Sequence, residues 1–332
     1  MYIAYVINVA LCVSAYNGIR IQAETWAQEL EHQGHKVVRV NPWEKQDWDK
    51  YDLVHVIGAD RAIDGLISSI FKKCKKICFS PIIDTIEPVL KYKIASYMGC
   101  KKLRLYSVNY AIRQASQYID RWFVRSHYEL MYVNKAYSIP LDKISIVPLS
   151  PRIPAIDYYP EKEDFCLHVS ILSDVRKNVY RLVEAAIKYK FNLVLAGSIS
   201  SEKDFVSIKQ LIETHDNVKY LGRVSDQELY ELYSRAKVFA LPSISEGVGM
   251  VAVEAASYGC DIVVTEFGGP KEYYGSNAFI VNPYNVDDIG LSIVNALRTS
   301  QFQPELMNTI KEKYGLSHCI ALLIDEYKKI IL

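Results

Sequence analysis

The chain has 332 residues, of which 50% are apolar, and its 39 basic and 38 acidic side chains nearly balance. This length suits two domains better than one. The near-zero charge excludes a general nucleic-acid binder, and no apolar run approaches the roughly 20 residues of a membrane span. Seven cysteines without metal-like spacing favour reduced thiols in a cytoplasmic protein.

Strand and helix patterns alternate along the first half. A helix is predicted from about Ile19 to Gln33, and His55 falls at a predicted strand end that faces a cleft, with a purely structural histidine as the alternative. The start of the chain lacks a basic leading region and a clear cleavage site, so it predicts a buried strand and not a signal peptide. The predicted strands cover residues 2–8, 37–40, 52–58, 76–82, 121–126 and 144–149.

The second half repeats this alternation. Helices are predicted after Asn178, near 202–214 and near 225–236, and both Asn178 and Ser225 suit helix N-caps. Short apolar strands separated by helices form parallel sheets with right-handed crossovers. We therefore predict an α/β protein with two Rossmann-like domains whose parallel sheets face each other across a cleft. The predicted strands of this half cover residues 166–171, 192–198, 218–222 and 238–243.

A proline-rich segment separates the two halves. Residues 148–164 carry four prolines and several charges, which is typical of an interdomain linker. The predicted organisation is an N-terminal domain over 1–150, a linker over 151–164, a C-terminal domain over 165–314 and a final helix over 315–332.

Residues 242–272 carry the most informative pattern. Two glutamates flank a glycine-containing turn before a predicted helix, and two glycines follow the next strand. A helix that begins at this turn directs the amides of Gly249, Met250 and Val251 toward one point, where an anion can bind. Glycines let a diphosphate approach the backbone, and carboxylates beside it suit sugar or ribose hydroxyls. These residues indicate a nucleotide-sugar site, with an ordinary strand–turn–helix unit as the alternative. They are Glu246, Gly247, Val248, Gly249, Glu254, Gly268 and Gly269.

The same stretch resembles the E-x7-E segment of the retaining GT-B glycosyltransferases of family 4, the group 1 glycosyltransferases. The resemblance is close from about Cys166 to Ile289 and loose before Lys143. It implies an acceptor-binding N-terminal domain, a nucleotide-sugar-binding C-terminal domain and a final helix that returns to the N-terminal domain. A plain terminal helix on the second domain is the alternative. The matching positions are Pro242, Ser243, Glu246, Gly247, Gly249, Glu254, Ala255, Gly259, Gly268, Gly269 and Glu272.

The resemblance also implies roles for basic side chains near the start of the second domain. Lys177 matches the lysine that holds the donor diphosphate. Many members carry an arginine five residues earlier, where this chain has Leu172. Arg176 is the substitute that we predict, and a solvated surface arginine is the alternative.

The remaining donor contacts follow from the same resemblance. The base is expected against the backbone of Gly222, Arg223 and Val224, the ribose hydroxyls on Glu254, and the donor sugar hydroxyls near Glu246. Similar enzymes bind the base largely through backbone contacts, which side-chain identity encodes poorly. The sequence therefore does not indicate which base is bound.

The first half matches the family only in part. Gly18 stands where members carry a glycine-rich turn that approaches the donor phosphate. Ile83 replaces a family histidine that contacts the donor sugar, while the following Asp84 is retained. We predict that Asp84 binds a sugar hydroxyl or acts on the acceptor, and a turn aspartate is the alternative.

Charge is concentrated in the first half. Between Asp60 and Lys135 there are fourteen basic and six acidic residues, a net charge of +8. Basic and tyrosine side chains together suit an anionic lipid surface or a diphosphate-linked acceptor. They also suit nucleic acid, but no recognition module is visible, so no nucleic-acid partner is predicted. A solvated basic face is the alternative.

Together these patterns predict a cytoplasmic retaining hexosyltransferase, with the inner face of the membrane as a further location. It would move a sugar from a nucleoside-diphosphate-sugar to a hydroxyl of a glycan or lipid-linked acceptor, in cell-surface polysaccharide or glycolipid synthesis. The catalytic residues would be Glu246, Lys177 and Asp84. The resemblance implies metal-independent chemistry, so no metal or cofactor is expected. A sugar-nucleotide epimerase on the same fold and a non-catalytic sugar-nucleotide-binding scaffold remain the alternatives.

Overall fold

The computed structural model describes residues 1–7, 18–74, 76–100, 102–103 and 105–332. Residue 8 of the first predicted strand lies outside these ranges, and so does Asn17, directly before Gly18. The chain forms two compact units. The first comprises Met1–Ile83, Glu87–Leu149 and Leu316–Leu332, and the second comprises Asp84–Ile86 and Ser150–Gly315.

Strands and helices alternate in both units. The strands are β1 (Tyr2–Ile7), β2 (Lys36–Arg39), β3 (Leu53–Ile57), β4 (Ile77–Ser80), β5 (Gly99–Cys100), β6 (Leu105–Tyr106), β7 (Arg121–Val124), β8 (Ile144–Ile146), β9 (Glu163–Val169), β10 (Leu193–Ala196), β11 (Val218–Tyr220), β12 (Ala236–Leu241), β13 (Asp261–Thr265) and β14 (Phe279–Val281). The helices are α1 (Gly18–His32), α2 (Ile63–Phe71), α3 (Val89–Tyr97), α4 (Val108–Ala115), α5 (His127–Tyr137), α6 (Val179–Tyr189), α7 (Glu202–Glu213), α8 (Asp226–Arg235), α9 (Met250–Ser257), α10 (Val286–Thr299), α11 (Glu305–Tyr314) and α12 (Leu316–Ile331).

The first unit contains a parallel sheet in the order β2-β1-β3-β4-β7-β8 over the residues described. Its central strands β3 and β4 are buried along their full length because both faces of the sheet are covered, as in other parallel sheets. Trp122 and Phe79 stack edge to face within the buried cluster. A short antiparallel hairpin, β5 with β6, was not predicted, because a two-residue strand carries no alternating pattern.

The final helix, α12, belongs to the first unit and is anchored there by a buried polar network. The Tyr327 hydroxyl lies 2.6 Å from Nδ1 of His55 and 3.0 Å from the hydroxyl of Tyr5. The other ring nitrogen of His55 lies 2.8 Å from the Ser80 hydroxyl. Burial lowers the pKa of His55 to about 3, so the ring is neutral.

The prediction that His55 ends a strand and faces a cleft is wrong. His55 is the central residue of β3 and is fully buried. Its polar ring sits inside the core because Tyr327 and Ser80 satisfy both nitrogens. The structural alternative for this histidine is therefore correct.

The second unit contains a parallel sheet in the order β11-β10-β9-β12-β13-β14 within the described part of the chain. Counted from β9, this is the strand order 3-2-1-4-5-6 of the Rossmann fold. The α/β class with two parallel sheets is thus confirmed. Ser225 caps α8 in a reciprocal capping box with Glu228, as its sequence predicts.

Residues of the predicted linker pack on the second unit. The Tyr258 hydroxyl donates to the carbonyl of Pro154 at 2.9 Å, and the half-buried ammonium of Lys162 donates to the carbonyls of Tyr233 and Tyr258. These contacts place the segment before β9 in the second unit.

Candidate functional site

The candidate residues of the second unit gather at the carboxyl edge of its sheet. Lys177 lies in a 3-10 turn after β9, and Glu246 lies in the loop after β12. β9 and β12 are neighbours at the point where the strand order reverses. Loops diverge at such a switch point and leave a crevice, which is where open α/β sheets bind their ligands.

Backbone hydrogen bonds fix these two loops to each other. The amide of Ile244 donates to the carbonyl of Arg176 at 2.7 Å. The side-chain amide of Asn178 donates to the carbonyls of Pro242 at 2.9 Å and Pro283 at 2.6 Å. These bonds hold together the loops that carry Lys177 and Glu246, whose side chains are in contact although they lie 69 positions apart in sequence.

The predicted capping role of Asn178 is wrong in its mechanism. Asn178 occupies the N-cap position of α6, but it adopts left-handed backbone with φ of 59° and its side chain makes no capping hydrogen bond. The side chain instead bridges the loops of Pro242 and Pro283. Asparagine tolerates this backbone region better than most residues, which explains its presence there.

A close ion pair occupies the crevice. Nζ of Lys177 donates to Oε2 of Glu246 at 2.6 Å, and the hydroxyl of Ser243 donates to the same oxygen at 3.2 Å. The two charged side chains are 20% and 15% exposed, so solvent reaches both. An anionic ligand that enters here meets an ammonium already oriented by the carboxylate.

The amino end of α9 adjoins this pair. Gly249 caps the helix in left-handed conformation with φ of 74°, and a Cβ built there would lie 2.8 Å from the side chain of Leu241. The first helical hydrogen bonds run from the amides of Ala252 and Val253 to the carbonyl of Gly249. The amides of Met250 and Val251 precede those bonds, so they point out of the helix end toward solvent or a ligand.

A second glycine turn supports the loop from below. Gly268 has φ of 87°, and a Cβ there would lie 2.1 Å from the carbonyl oxygen of Glu246. Only glycine fits this approach. Gly269 follows in the same turn and precedes a 3-10 segment, Pro270–Tyr273. Gly247 and Val248, which follow Glu246 in the loop after β12, are buried.

Glu254 lies in a different environment from Glu246. Its carboxylate is 1% exposed and accepts from Nε of Arg152 at 2.5 Å and from the hydroxyl of Tyr233 at 3.3 Å. Burial opposes the charge of Arg152, but the attraction to Glu254 outweighs it and raises the pKa of the guanidinium. Burial likewise raises the pKa of Tyr233, so its hydroxyl stays protonated and donates. Two side-chain donors therefore hold the carboxylate of Glu254 in place.

Sequence reasoning missed Arg152 and Tyr233. Arg152 lies in the proline-rich segment, where an arginine is usually solvated, and Tyr233 lies on α8, 21 residues before Glu254. Neither position carries a local signal, because the contact exists only in three dimensions.

Arg176 lies beside Lys177 but is bound elsewhere. Its guanidinium donates to Oδ2 of Asp174 at 2.7 Å and is 61% exposed. That hydrogen bond raises the pKa of Arg176. Leu172, at the position of the family arginine, is buried.

The loop predicted to meet the base follows β11. Gly222 has φ of 73°, and its carbonyl accepts from the amide of Gly197 at 2.8 Å. Arg223 is exposed and Val224 is half-buried. This loop lies at the same carboxyl edge of the sheet as Lys177 and Glu246.

Two candidates come from the first half of the chain. Gly18 is the first residue of α1 in the first unit, where it is exposed and a Cβ would meet open space. Asp84 is exposed and is grouped with the second unit, while the loop before it belongs to the first.

That loop is fastened by a buried carboxylate. Glu129 accepts from the amide of Ile83 at 2.6 Å and from Nε of Arg125 at 2.9 Å. Ile82 has φ of 58°, which is costly for a β-branched residue. Glu129 therefore positions the backbone immediately before Asp84.

Among the residues that the structure describes, no group of three or more His, Cys, Asp or Glu side chains is placed to hold a metal ion. The one Asp-x-Asp sequence of the chain is Asp47-Trp48-Asp49, in the turn that precedes β3 in the first unit. Asp47 pairs there with Lys50 at 2.8 Å.

The buried His168 on β9 has its pKa lowered to about 4 by burial, and it bonds to the Ala240 carbonyl and the Ser170 hydroxyl.

Comparison with known proteins agrees with this arrangement. Residues 152–313 match the family model described as glycosyl transferases group 1. The O-antigen chain mannosyltransferase B of Escherichia coli is 26% identical over 220 residues, which cover 58% of this chain and 56% of that protein. The chain thus matches only about half the length of this curated relative.

Solved structures share the fold across the whole chain. Sucrose-phosphate synthase from Thermosynechococcus elongatus superposes with a TM-score of 0.76 at 14% identity and covers 99% of both chains. The Anabaena Alr3699/HepE structure in complex with UDP-glucose superposes with a TM-score of 0.72 at 15% identity, over 99% of this chain and 100% of that one. At this identity the superpositions show a common GT-B fold.

Proposed function

We propose that this chain, a member of the group 1 glycosyltransferases through residues 152–313, moves a sugar from a nucleoside-diphosphate-sugar to an acceptor hydroxyl. The acceptor would be a glycan or a lipid-linked intermediate. The observation that carries the proposal is the Lys177–Glu246 pair, joined at 2.6 Å beside the amino end of α9.

The chemistry requires stabilisation of a departing diphosphate. When the bond between sugar and phosphate breaks, negative charge develops on the phosphate oxygens. The ammonium of Lys177 and the first amides of α9 supply fixed positive charge at one point. Glu246 then exchanges part of its contact with Lys177 for hydroxyls of the donor sugar.

The proposed stereochemical course is retention. The leaving phosphate accepts the proton of the acceptor hydroxyl on the same face of the sugar, and no side chain forms a covalent bond to it. The reaction is proposed to need no metal, because Lys177 and the helix amides provide the charge that a cation supplies elsewhere. Trapping a covalent glycosyl–enzyme adduct would contradict this course.

Mannose is the first donor sugar to test. The matched Escherichia coli relative is named an O-antigen chain mannosyltransferase, and the Anabaena structure holds UDP-glucose. We propose on this basis that the chain acts in cell-surface polysaccharide synthesis, with a nucleotide-mannose as donor.

Ligand-observed NMR tests the donor site directly. UDP-, GDP-, ADP- and dTDP-sugars, GDP-mannose among them, are mixed with the protein and recorded at once and after overnight incubation. A transferase that lacks its acceptor binds one donor selectively and hydrolyses it slowly at most. Conversion to a new sugar nucleotide supports the epimerase, and failure to bind any donor supports a scaffold for another ligand.

Two variants locate the activity. Lys177→Ala is expected to lower the rate by roughly 10²–10³, the usual effect of removing one fixed donor from a developing anion. Lys203→Ala removes an exposed lysine from the first turn of α7 in the same unit and serves as the matched control. Unchanged product formation by Lys177→Ala removes the donor-site assignment.

A further inference from the structure

Helix α3 of the first unit exposes an apolar stripe. Leu90, Ile94, Tyr97 and Met98 are between 50% and 67% exposed. Their spacing of four, three and one residues places them on one side of a helix, within roughly 100° of arc. Tyr92 and Ser96 lie on the opposite side, where Ser96 is buried and Tyr92 packs on the core. The stripe is therefore largely open to solvent, and the one ring contact that the described residues make with it is the guanidinium of Arg113, 3.8 Å from the centroid of the Tyr97 ring.

The hairpin that follows α3 carries two further exposed apolar residues. Leu103 and Leu105 are each 68% exposed, at and beside the turn between β5 and β6. Gly99 starts the hairpin directly against the ring of Tyr110, since a Cβ there would lie 2.6 Å from it. The hairpin thus packs on α4 and presents its leucines outward.

We propose that this apolar-basic face (the stripe of Leu90, Ile94, Tyr97 and Met98 together with Leu103 and Leu105) docks the first unit on an anionic membrane surface. Isolated exposed apolar residues are ordinary on proteins, but six within a span of sixteen positions concentrate exposed apolar surface on one segment, which is typical of an interaction site.

Charge complementarity selects the membrane among the possible partners. On a helical wheel Lys91 and Lys93 lie on opposite flanks of the stripe, at roughly 100° steps. Lysines in this arrangement extend to lipid phosphates while apolar neighbours enter the acyl boundary. Glu87 pairs with Lys91 at 2.8 Å, whereas Lys93 and Lys102 have no carboxylate partner within the described ranges. The sequence adds Lys101 and Arg104 to the same segment.

A cavity of about 550 Å³ opens beside the stripe, between α3 and the end of α5. Lys93, Lys135, Asn134 and Ser138 contribute polar groups to its wall, and Leu90 contributes an apolar one. Two ammonium groups beside amide and hydroxyl donors suit the phosphate of a lipid headgroup. The apolar-basic face therefore combines a surface for acyl chains with a pocket for anionic headgroups.

In the ranges that the structure describes, no helix has the length and apolarity of a membrane crossing. The proposed attachment is peripheral and reversible. Such binding depends on apolar area and on anionic lipid together, so both contributions can be varied separately.

Vesicle sedimentation of the full chain tests the proposal. The probes are vesicles of phosphatidylcholine mixed with phosphatidylglycerol and vesicles of phosphatidylcholine alone, without donor or acceptor, so the outcome is independent of the transfer reaction. We expect binding to the anionic vesicles only. Leu90→Ser/Ile94→Ser should weaken this binding at least about tenfold, because the variant has two fewer apolar side chains to transfer from water into the membrane. Leu291→Ser, at a leucine on α10 that is 57% exposed, should leave it unchanged.

The electrostatic part has its own variant. Lys93→Gln/Lys102→Gln should weaken binding roughly fivefold for each lysine at low salt, and high salt should remove the difference from the unmodified chain. Absence of binding to anionic vesicles, or equal binding by the apolar variant, overturns the proposal. So does a dimer in solution that Leu90→Ser/Ile94→Ser converts to monomer, because the face would then join two copies of the chain.

Discussion

The buried pair of Arg152 and Glu254 offers the sharpest test of the second unit. Arg152→Met keeps much of the side-chain volume and removes the charge that faces Glu254. Removing one partner of a buried ion pair costs about 3–5 kcal/mol, because the other charge is left uncompensated. Glu254 is 1% exposed but Arg152 is 23% exposed, so water reaches the pair from one side. We therefore expect about 3 kcal/mol, the lower end of that range.

The positions of the tryptophans allow the unfolding of the two units to be followed separately. All four tryptophans, Trp26, Trp43, Trp48 and Trp122, belong to the first unit. Tryptophan fluorescence therefore follows the first unit during urea unfolding, and hydrogen exchange of β9–β14 follows the second. With a urea dependence of about 2 kcal/mol per molar, Arg152→Met should move the transition of the second unit down by about 1.5 M. The fluorescence transition should move much less.

Two further variants decide whether the pair is the cause. Arg152→Met/Glu254→Gln should recover about 2 kcal/mol, because a neutral amide needs no counter-charge and still accepts from Tyr233. Arg176→Met removes an arginine that is 61% exposed and paired with Asp174, and it should cost less than about 0.5 kcal/mol. The reasoning is refuted if Arg152→Met unfolds within about 0.3 M of the unmodified chain, or if the double variant is no more stable than Arg152→Met.

Three other outcomes are expected. Tyr327→Phe should lower the free energy of unfolding of the first unit by about 1–3 kcal/mol, measured by tryptophan fluorescence in urea, since buried His55 loses its partner at 2.6 Å. Gly268→Ala should weaken donor binding in titration calorimetry and cost at least about 1–3 kcal/mol, because its backbone has φ of 87° and its Cβ would meet the Glu246 carbonyl. Burial raises the pKa of Asp261 to about 6 from its ordinary 3.8. Its charge therefore destabilises the fold above about pH 6 and has no effect below about pH 4. Asp261→Asn should raise the unfolding free energy at pH 8 by up to about 3 kcal/mol, with no gain near pH 4, as a series of urea curves would show.

The sequence predicts the frame of the molecule because strands and helices are local patterns. The predicted final helix over 315–332 corresponds to α12, Leu316–Ile331, and Ser225 caps α8 as predicted. Strand ends are less well placed: the predicted strand 76–82 is shorter, Ile77–Ser80. Pro81 and Ile82 continue the apolar pattern of this strand although the backbone has already left the sheet.

The candidate site is predictable where its residues share one loop and unpredictable where they meet across the fold. The glycines at 249 and 268 mark their turns, since each adopts a backbone or an approach that excludes other residues. Arg152 carries no such mark, because its value comes from a carboxylate 102 positions away. The prediction for His55 failed for the same reason. Its two partners, Ser80 and Tyr327, lie 25 and 272 positions away, and a local pattern shows neither.

Glu246 and Glu254 are the same residue type in one motif, but they differ in how readily a ligand can replace their present hydrogen-bond partners. Glu246 and its partner Lys177 are both partly exposed, so a phosphate or a sugar hydroxyl can exchange with either partner at a smaller cost in desolvation than at Glu254. Glu254 is already desolvated and held by Arg152 and Tyr233. For Glu254 to accept from a ribose hydroxyl, that hydroxyl must join the two donors or displace one of them. A displaced guanidinium would retain its 23% exposure to water, whereas a displaced tyrosine hydroxyl would be buried without a partner. If the ribose binds Glu254 as predicted, it is therefore Arg152 that should move, and donor affinity should respond to Arg152→Met while it ignores the exposed control Lys203→Ala.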